Sequence, residues 1–299
     1  MNTIPQNSSP TTVAPPWSLI TFAEQNLGQL HQILDCSGPR ENSRVWRVTA
    51  GRSNRNWYLK QHPSVKFHAR EAAAYARWAP ALGPGRAPEL RAANPALSAI
   101  ILSELPGMPV CGQNLSSQDE HEIHRQLGQL LSAFHRSAPQ QRSPFTTPML
   151  ARVRRHVISA APALAPGDAR LVQHMAVRLA GLDPLPFVPT HGDVQLRNAI
   201  WNPSTRLLGL IDFERAEYGP AVRDLIRLEH GPWNGRGDLK AAFFTGFGAA
   251  LTGRETKHLQ PMVALDAISG IAFGLAAGDD EVVARGQRTL RRLRAEVAA

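Results

Sequence analysis

The stretch HGDVQLRN at residues 191–198, followed by LIDF at residues 210–213, decides how this chain folds. These two stretches place one carboxylate (Asp193), one carboxamide (Asn198) and a second carboxylate (Asp212) along neighbouring segments. Phosphoryl transfer to a hydroxyl needs a carboxylate that orients the attacking hydroxyl and takes its proton, and hard oxygen ligands for the Mg²⁺ that neutralises the nucleotide phosphates. We therefore interpret Asp193 as the catalytic base and Asn198 and Asp212 as metal ligands.

The flanking segments predict how these polar groups are presented. Residues 187–189 form a short apolar strand that runs into the motif, and residues 207–211 form an apolar run that ends at Asp212. Between them, residues 199–201 and the turn residues 202–204 favour a hairpin. Such a hairpin would bring the polar groups to one end of the two strands.

Three elements together resemble a known family: the H-G-D-x-x-x-x-N motif, the I-D-F after it, and GPAVRDL at residues 219–225. They are similar to the signature of the aminoglycoside phosphotransferase and choline kinase superfamily, whose members have a protein-kinase-like fold and phosphorylate small molecules. The resemblance implies the same roles for the three polar residues of the motif, and it implies that Asp224 is a buried carboxylate that braces the catalytic loop. One departure is visible at residues 218–220, where members often carry Gly-Asp-Pro and this chain has Tyr-Gly-Pro.

A second set of residues lies upstream, in the order that kinases use. Residues 43–48 and 56–61 read as strands and residues 69–78 as a helix. A strand lysine followed by a helix glutamate is the pair that kinases place on the α- and β-phosphates, which assigns Lys60 to the phosphates and Glu71 to its ion pair. The alternative for Lys60 is a solvated charge on an edge strand.

The phosphate-binding turn is less distinct. Residues 37–43 precede the first of these strands and resemble the glycine-rich turn of the family, although they contain only one glycine. The backbone amides of Asn42 and Ser43 would then bind phosphate oxygens. An ordinary hairpin turn explains the same residues equally well.

The nucleotide base is assigned to the segment after the next strand. Residues 99–102 are a short apolar run typical of a buried strand. The resemblance implies that Ser103, Glu104 and Leu105 form the hinge between two lobes, with backbone groups that hydrogen-bond adenine. A plain exit from strand to loop fits the same residues.

The acceptor pocket is expected from the last two helices, residues 259–274 and 279–294. Asp266, Asp279 and Asp280 are candidates to bind a cationic acceptor, although the last two also read as the acidic first turn of a helix, which its dipole favours. Upstream, residues 120–136 have the apolar spacing of a core helix, and its histidines have no partner at metal-site spacing.

Composition restricts the class of protein. With 299 residues, 43% of them hydrophobic, the chain is long enough for two lobes. Residues 1–17 are polar and proline-rich, and we expect a disordered tail. We find no signal peptide and no run near the ~20 apolar residues that a membrane span needs, and the two cysteines have neither metal spacing nor a disulfide framework, so we expect a soluble cytoplasmic protein.

The net charge of +9 raises the question of nucleic-acid binding. Much of the excess lies in the last helix, where leucines interrupt the arginines as in a packed helix with a basic outer side. No nucleic-acid motif accompanies it, and we expect no such primary role. Because a basic protein repels polycations, we also expect an acceptor that is neutral, anionic or singly charged in preference to a multiply charged aminoglycoside.

The order of elements predicts an α+β, two-lobed, protein-kinase-like fold. A small antiparallel sheet with one helix would form a nucleotide-binding lobe at residues 18–105, and a mainly helical catalytic and acceptor-binding lobe would follow at residues 106–299, with ATP and Mg²⁺ in the cleft between them. We expect an ATP-dependent phosphotransferase that inactivates an antibiotic through one of its hydroxyls. The alternatives are a metabolic kinase for choline, a sugar or an amino acid, and a non-catalytic nucleotide-binding pseudokinase. Oligomeric state stays open.

Overall fold

The computed structural model describes residues 13–38, 43–141 and 148–298. The chain divides into two compact units, Met1–Tyr75 with Pro88–Glu104, and Ala76–Ala87 with Leu105–Ala299. The predicted lobe boundary at residue 105 and the roles of the two lobes remain predictions. Most of the predicted tail, residues 1–12, lies outside the described residues.

The first unit is built on a five-stranded antiparallel sheet. Its elements in chain order are α1 (Trp17–Leu27), β1 (Leu30–Asp35), β2 (Arg44–Ala50), β3 (Arg55–Gln61), α2 (Val65–Arg77), β4 (Leu90–Asn94) and β5 (Ala99–Ser103). The strands lie in the order β1-β2-β3-β5-β4, so β3 is the central strand. Lys60 on β3 is therefore paired on both sides, opposite Val45 and Ile100, and is not an edge charge.

The core of this unit lies between α1 and the sheet. Alternate residues of the strands, such as Trp46, Leu59 and Ile101, point to one face and are completely or almost completely buried there. Leu19 and Phe22, spaced as on one helix face, pack from α1 onto them. Burial of these side chains holds the central strand, and with it Lys60, in a fixed position.

The second unit is mainly helical. Its elements are β6 (Met108–Pro109), α3 (Ser117–His135), α4 (Pro148–Ala160), α5 (Asp168–Ala180), β7 (Phe187–Thr190), β8 (Ala199–Asn202), β9 (Leu207–Leu210), β10 (Glu217–Pro220), α6 (Ile226–Glu229), α7 (Gly237–Phe247), α8 (Gly253–Ala277) and α9 (Asp280–Ala298). Two small antiparallel sheets, β10-β7 and β6-β8-β9, carry the segments between the helices. The β8–β9 hairpin is the one predicted from the sequence.

Two glycines allow α3 and α7 to pack backbone to backbone. A Cβ atom on Gly128 would overlap the carbonyl oxygen of Phe243, and one on Gly246 would overlap the carbonyl oxygen of Arg125. Both glycines face the partner helix, so a side chain at either position would force the helices apart. This close packing anchors α3, which carries His135 at its end.

By length and composition alone, helix α8 is long and apolar enough to cross a membrane. The sequence pattern had predicted no segment of this kind. Half of the most apolar 18-residue window of α8 is buried within the protein. The core helix of a soluble protein has the same property.

The predicted α+β class, with an antiparallel sheet first and helices after it, is confirmed.

Candidate active site

The HGD loop leaves β7 in a conformation that requires its glycine. Gly192 has φ of +78°, and a Cβ atom there would lie 2.5 Å from the carbonyl oxygen of Arg215. Only glycine adopts this backbone next to another chain segment without strain. The loop continues into a short 3₁₀-helix over Leu196–Asn198 and then into β8.

His191 serves the loop through both ring nitrogens. Its Nε2 lies 3.0 Å from the carbonyl oxygen of Ile211, which can only accept, so Nε2 carries the proton. Its Nδ1 then accepts from the backbone amide of Asp193 at 3.3 Å. An imidazole with both nitrogens engaged inside the loop is a structural group.

Asp224 is the buried carboxylate beneath this loop. Its oxygens accept from the backbone amides of His191 at 2.9 Å and Gly192 at 2.7 Å, and from Nε2 of His135 at 2.9 Å. Burial opposes ionisation of this carboxyl, but the hydrogen bond and charge of His135 outweigh it and hold the pKa of Asp224 below its usual value. Three donors on one carboxylate fix the start of the catalytic loop.

Asp193 lies at the centre of the loop, with its side chain almost fully buried. Gln195 Nε2 donates to Oδ1 at 2.5 Å, and Arg197 Nη2 lies 3.2 Å from Oδ2. Arg227 of α6 also forms an ion pair with Oδ1. The carboxylate is therefore surrounded by donors on the side chains of three residues.

Asn198 and Asp212 lie at the ends of adjacent segments. Asn198 Nδ2 donates to the Asp193 carbonyl oxygen at 2.9 Å, which makes the amide oxygen of Asn198 the atom suited to a cation. The backbone oxygen of Asn198 accepts from the amide of Ile211 at 3.0 Å, next to Asp212. Asp212 itself has φ of +67°, an uncommon conformation for a non-glycine residue that persists only where neighbouring bonds hold it.

In the first unit the structure brings Lys60 and Glu71 together. Lys60 Nζ lies 2.8 Å from Glu71 Oε2, and both side chains are buried. His62 Nε2 lies 2.5 Å from the same oxygen, and its Nδ1 lies 3.1 Å from the Ser98 carbonyl oxygen. The Glu71 carboxylate is thus shared by Lys60, which lies on β3, and His62, which directly follows that strand. The sequence interpretation missed His62, although its place two residues after Lys60 puts both on one face of an extended chain.

Among the described residues, those predicted for the phosphate-binding turn and the hinge lie near the ends of the strands of the first unit or just beyond them. Ser43 is buried just before β2, and Asn42 lies outside the described residues. Ser103 at the end of β5 exchanges hydrogen bonds with Glu89, its amide donating at 2.9 Å and its Oγ accepting at 2.8 Å. Leu105 is half-buried at the start of a segment of the second unit.

The side chain of Glu104 joins neighbouring strands of the first unit. Its carboxylate accepts from Arg47 Nε at 2.7 Å and from Asn56 Nδ2 at 2.9 Å. Burial raises the pKa of Glu104, but these two hydrogen bonds outweigh it and hold the pKa below its usual value. Glu104 therefore ties the end of β5 to β2 and β3 within the first unit.

Of the three acceptor candidates, Asp266 is joined to Asp193 through a shared arginine. Asp266 of α8 accepts from Arg227 at 3.2 and 3.3 Å, and the same arginine contacts Asp193. Asp279 instead caps α9, because its Oδ1 accepts from the backbone amides of Glu281 and Val282 at 3.1 Å. Asp280 is exposed in the first turn of α9. The helix-capping alternative therefore describes Asp279.

Arg227 and Arg285 were missed by the sequence interpretation. Arg285 belongs to the basic last helix, and its Nη1 donates at 3.0 Å to Oε1 of Gln195, two residues after Asp193. The sequence indicated only a solvated basic side for that helix. Arg227 follows the GPAVRDL motif by two residues, a position for which the resemblance implies no role.

The chain is similar to known phosphotransferases. A family model described as the phosphotransferase enzyme family matches residues 32–259. Among solved structures, a macrolide 2′-phosphotransferase type I is 20% identical, with a TM-score of 0.64 over 94% of this chain and 98% of the other. The enzyme MphH of Brachybacterium faecium, also a macrolide 2′-phosphotransferase, is 19% identical, with a TM-score of 0.59 over 91% and 96%. A thermostable mutant of aminoglycoside phosphotransferase APH(4)-Ia bound to ADP and hygromycin B is 14% identical, with a TM-score of 0.68 over 92% and 97%. A sequence search of curated proteins finds no match.

Proposed function

Because this chain belongs to the phosphotransferase enzyme family and is a small-molecule kinase, we propose that it transfers the γ-phosphate of ATP to a hydroxyl of its substrate with Asp193 as catalytic base. The observation that carries this proposal is the position of Asp193. Its carboxylate is held on a loop that Asp224 braces, and its own backbone oxygen is joined to Asn198. A base positioned in this way takes the proton of the attacking hydroxyl without reorganisation of the loop.

Asn198 and Asp212 are proposed to hold Mg²⁺. One amide oxygen and one carboxylate are hard ligands that fit this cation. When bound, Mg²⁺ neutralises the charge that develops on the transferred phosphoryl group. The strained backbone of Asp212 and the hydrogen bonds of its neighbour Ile211 orient the carboxylate in advance.

In the first unit we assign Lys60 to the α- and β-phosphates of the nucleotide. Its buried ammonium is held by Glu71, which is held in turn by His62. The backbone amides of Asn42 and Ser43 are proposed for the phosphates, and the backbone from Ser103 to Leu105 for adenine. All of these groups would bind the nucleotide and not the acceptor.

For the acceptor we propose a hydroxyl-bearing antibiotic. Solved structures similar to this chain include a macrolide 2′-phosphotransferase and phosphotransferase complexes with hygromycin B and with spectinomycin. At 13–20% identity these similarities concern the fold, and the identity of the acceptor is our proposal for this chain.

The test is ATP consumption by the purified full chain over antibiotic classes, nucleosides, sugars and amino alcohols, with Asp193→Ala as the matched inactive protein. Turnover of an antibiotic that is absent from Asp193→Ala would support the proposal. Turnover confined to a sugar, choline or an amino acid would replace the antibiotic by a metabolic acceptor. Nucleotide binding without turnover of any compound would overturn the catalytic proposal in favour of a pseudokinase.

A further inference from the structure

The carboxylate of Asp193 has no oxygen that is not already hydrogen-bonded. Oδ1 accepts from Gln195 and pairs with Arg227, and Oδ2 faces Arg197. A catalytic base must instead accept a hydrogen bond from the attacking hydroxyl, within about 2.6–3.2 Å. A carboxylate accepts about four hydrogen bonds, so the acceptor hydroxyl either becomes a fourth donor to Asp193 or replaces one of the three.

Arg227 is the donor whose replacement costs most. Its side chain is only 16% exposed, and it bridges Asp193 and Asp266. Arg197, with a side chain 48% exposed, can turn to solvent, whereas a buried guanidinium that loses a carboxylate needs a new partner. Asp266 supplies only part of what Arg227 binds now.

The same place also holds an excess of positive charge. Four arginines, Arg197, Arg215, Arg227 and Arg285, act here on three carboxylates, Asp193, Asp266 and Glu281. Burial, followed by the charge of Arg227, holds the pKa of Arg285 below its usual value, against the opposing charges of Asp266 and Glu281. An anion bound between Arg227 and Arg285 would correct this imbalance.

Resting on the proposed function, we propose that the acceptor carries a compact anionic group, a carboxylate or a phosphate, beside the hydroxyl that is phosphorylated. Arg227 and Arg285 bind this group, and Arg227 thereby releases Asp193 to the hydroxyl. Guanidinium groups bind such oxyanions through two parallel hydrogen bonds, which also fixes the position of the neighbouring hydroxyl. A polycationic acceptor would meet two arginines in the same place and is disfavoured.

The kinetic test uses pairs of acceptors that differ in the anionic group alone: gluconate with glucose for a carboxylate, and nucleoside 5′-monophosphates with nucleosides for a phosphate. We expect kcat/KM to be at least about tenfold higher for the anionic member of the preferred pair. Arg285→Gln should remove this preference, Arg285→Lys should restore part of it, and Arg288→Gln, an exposed arginine of the same helix, should leave it unchanged. Equal or higher kcat/KM for every neutral member would overturn the proposal.

A binding test separates this proposal from the proposed function. Inorganic phosphate is titrated calorimetrically into the wild-type chain, Arg285→Gln, Arg227→Gln, Arg288→Gln and Lys60→Met, after unfolding curves have shown that each is folded. We expect binding to persist in Lys60→Met and Arg288→Gln and to weaken at least about tenfold in the other two variants. Phosphate binding that is absent from the wild type, or unchanged in Arg285→Gln, would overturn the anion site even if the chain proves to be an active kinase. Conversely, a phosphate site that depends on Arg285 stands even if no acceptor is turned over.

Discussion

The side chain of Asp193, the proposed catalytic base, has neighbours that come from separate parts of the chain. Gln195 and Arg197 belong to its own loop, whereas Arg227 reaches it from α6. All three donate to the carboxylate and fix its orientation. In the proposed mechanism the carboxylate is thus oriented before the acceptor binds, and the acceptor hydroxyl takes its place among these donors.

Asp193→Ala should lower turnover by at least about a hundredfold, because proton transfer by a positioned base contributes that much or more. Nucleotide affinity should stay within about twofold, since the base acts on the acceptor and not on ATP. Steady-state kinetics and calorimetric titration of ATP measure the two quantities. Asp280→Ala, which removes an exposed carboxylate of α9, is the control and should behave like the wild type. Turnover of Asp193→Ala within tenfold of the wild type would remove Asp193 from the mechanism.

The buried trio of Lys60, Glu71 and His62 should act as a unit in nucleotide binding. Lys60→Met and Glu71→Gln each weaken ATP binding, and the double variant should lose little more than the worse single variant, with a coupling energy above about 1 kcal/mol. The cycle is measured by calorimetry of ATP with Mg²⁺. The same cycle with Lys66→Met, an exposed lysine of α2, should be additive. Additive losses for Lys60 and Glu71 would show that they are not functional partners.

The sequence predicted those site residues that lie close together along the chain, and it missed those that distant segments contribute. Asp193, Asn198 and Asp212 stand within one motif and its following strand, so their neighbourhood could be predicted from spacing alone. Arg285 reaches Gln195 from the last helix, and no local pattern distinguishes it from the other arginines there. Contacts made across the fold require the packing of α8 and α9, which the sequence pattern does not specify.

Among the elements, the catalytic loop and α3 are joined through one buried carboxylate. Asp224 binds the loop through His191 and Gly192, and α3 through His135. The resemblance implied the first link. The second was missed, because a histidine at the end of an apolar helix reads as a core residue until its partner is known.

Asp224→Asn should destabilise the protein by about 3 kcal/mol at neutral pH, since it replaces a buried carboxylate whose partners are all donors by an amide that is itself half donor. Because the pKa of Asp224 is held below its usual value, this stabilisation is complete above the ordinary carboxyl pKa and is lost as the pH falls through the lower pKa of the folded state. Urea unfolding of both proteins from neutral pH into acid should therefore show a difference that is constant above about pH 5 and shrinks below about pH 4. A difference that does not change with pH would contradict the role of the ionised form.

The packing of α3 on α7 gives a prediction that concerns stability alone. Gly128→Ala and Gly246→Ala should each lower the free energy of unfolding by about 2 kcal/mol or more, since the added methyl group overlaps a backbone carbonyl that cannot move by itself. Gly237→Ala, in open space at the start of α7, should change it by less than about 0.5 kcal/mol. Chemical denaturation of the three variants measures these values. Neutral effects at Gly128 and Gly246 would mean that the two helices are less closely packed than described.

At the scale of the whole molecule, the net charge of +9 acts on whatever approaches the site. The arginines around Asp193 add a local positive potential to it. A like-charged acceptor is slowed in its approach and an oppositely charged one is accelerated, and salt weakens both effects. The sequence alone supplied the total charge, whereas only the fold shows that part of it converges around Asp193.

With ATP kept saturating, raising the ionic strength from about 0.05 to 0.5 M should lower kcat/KM for an anionic acceptor severalfold and raise it for a polycationic aminoglycoside, if the latter is turned over at all. A neutral acceptor of similar size is the control, and its kcat/KM should change little. The sign of the salt effect is the decisive observation, because steering by a positive field requires opposite slopes for the two charged acceptors. Higher kcat/KM at low salt for kanamycin or hygromycin B than for every neutral or anionic compound would show that the field at the site is negative, and that acidic side chains outweigh the arginines there.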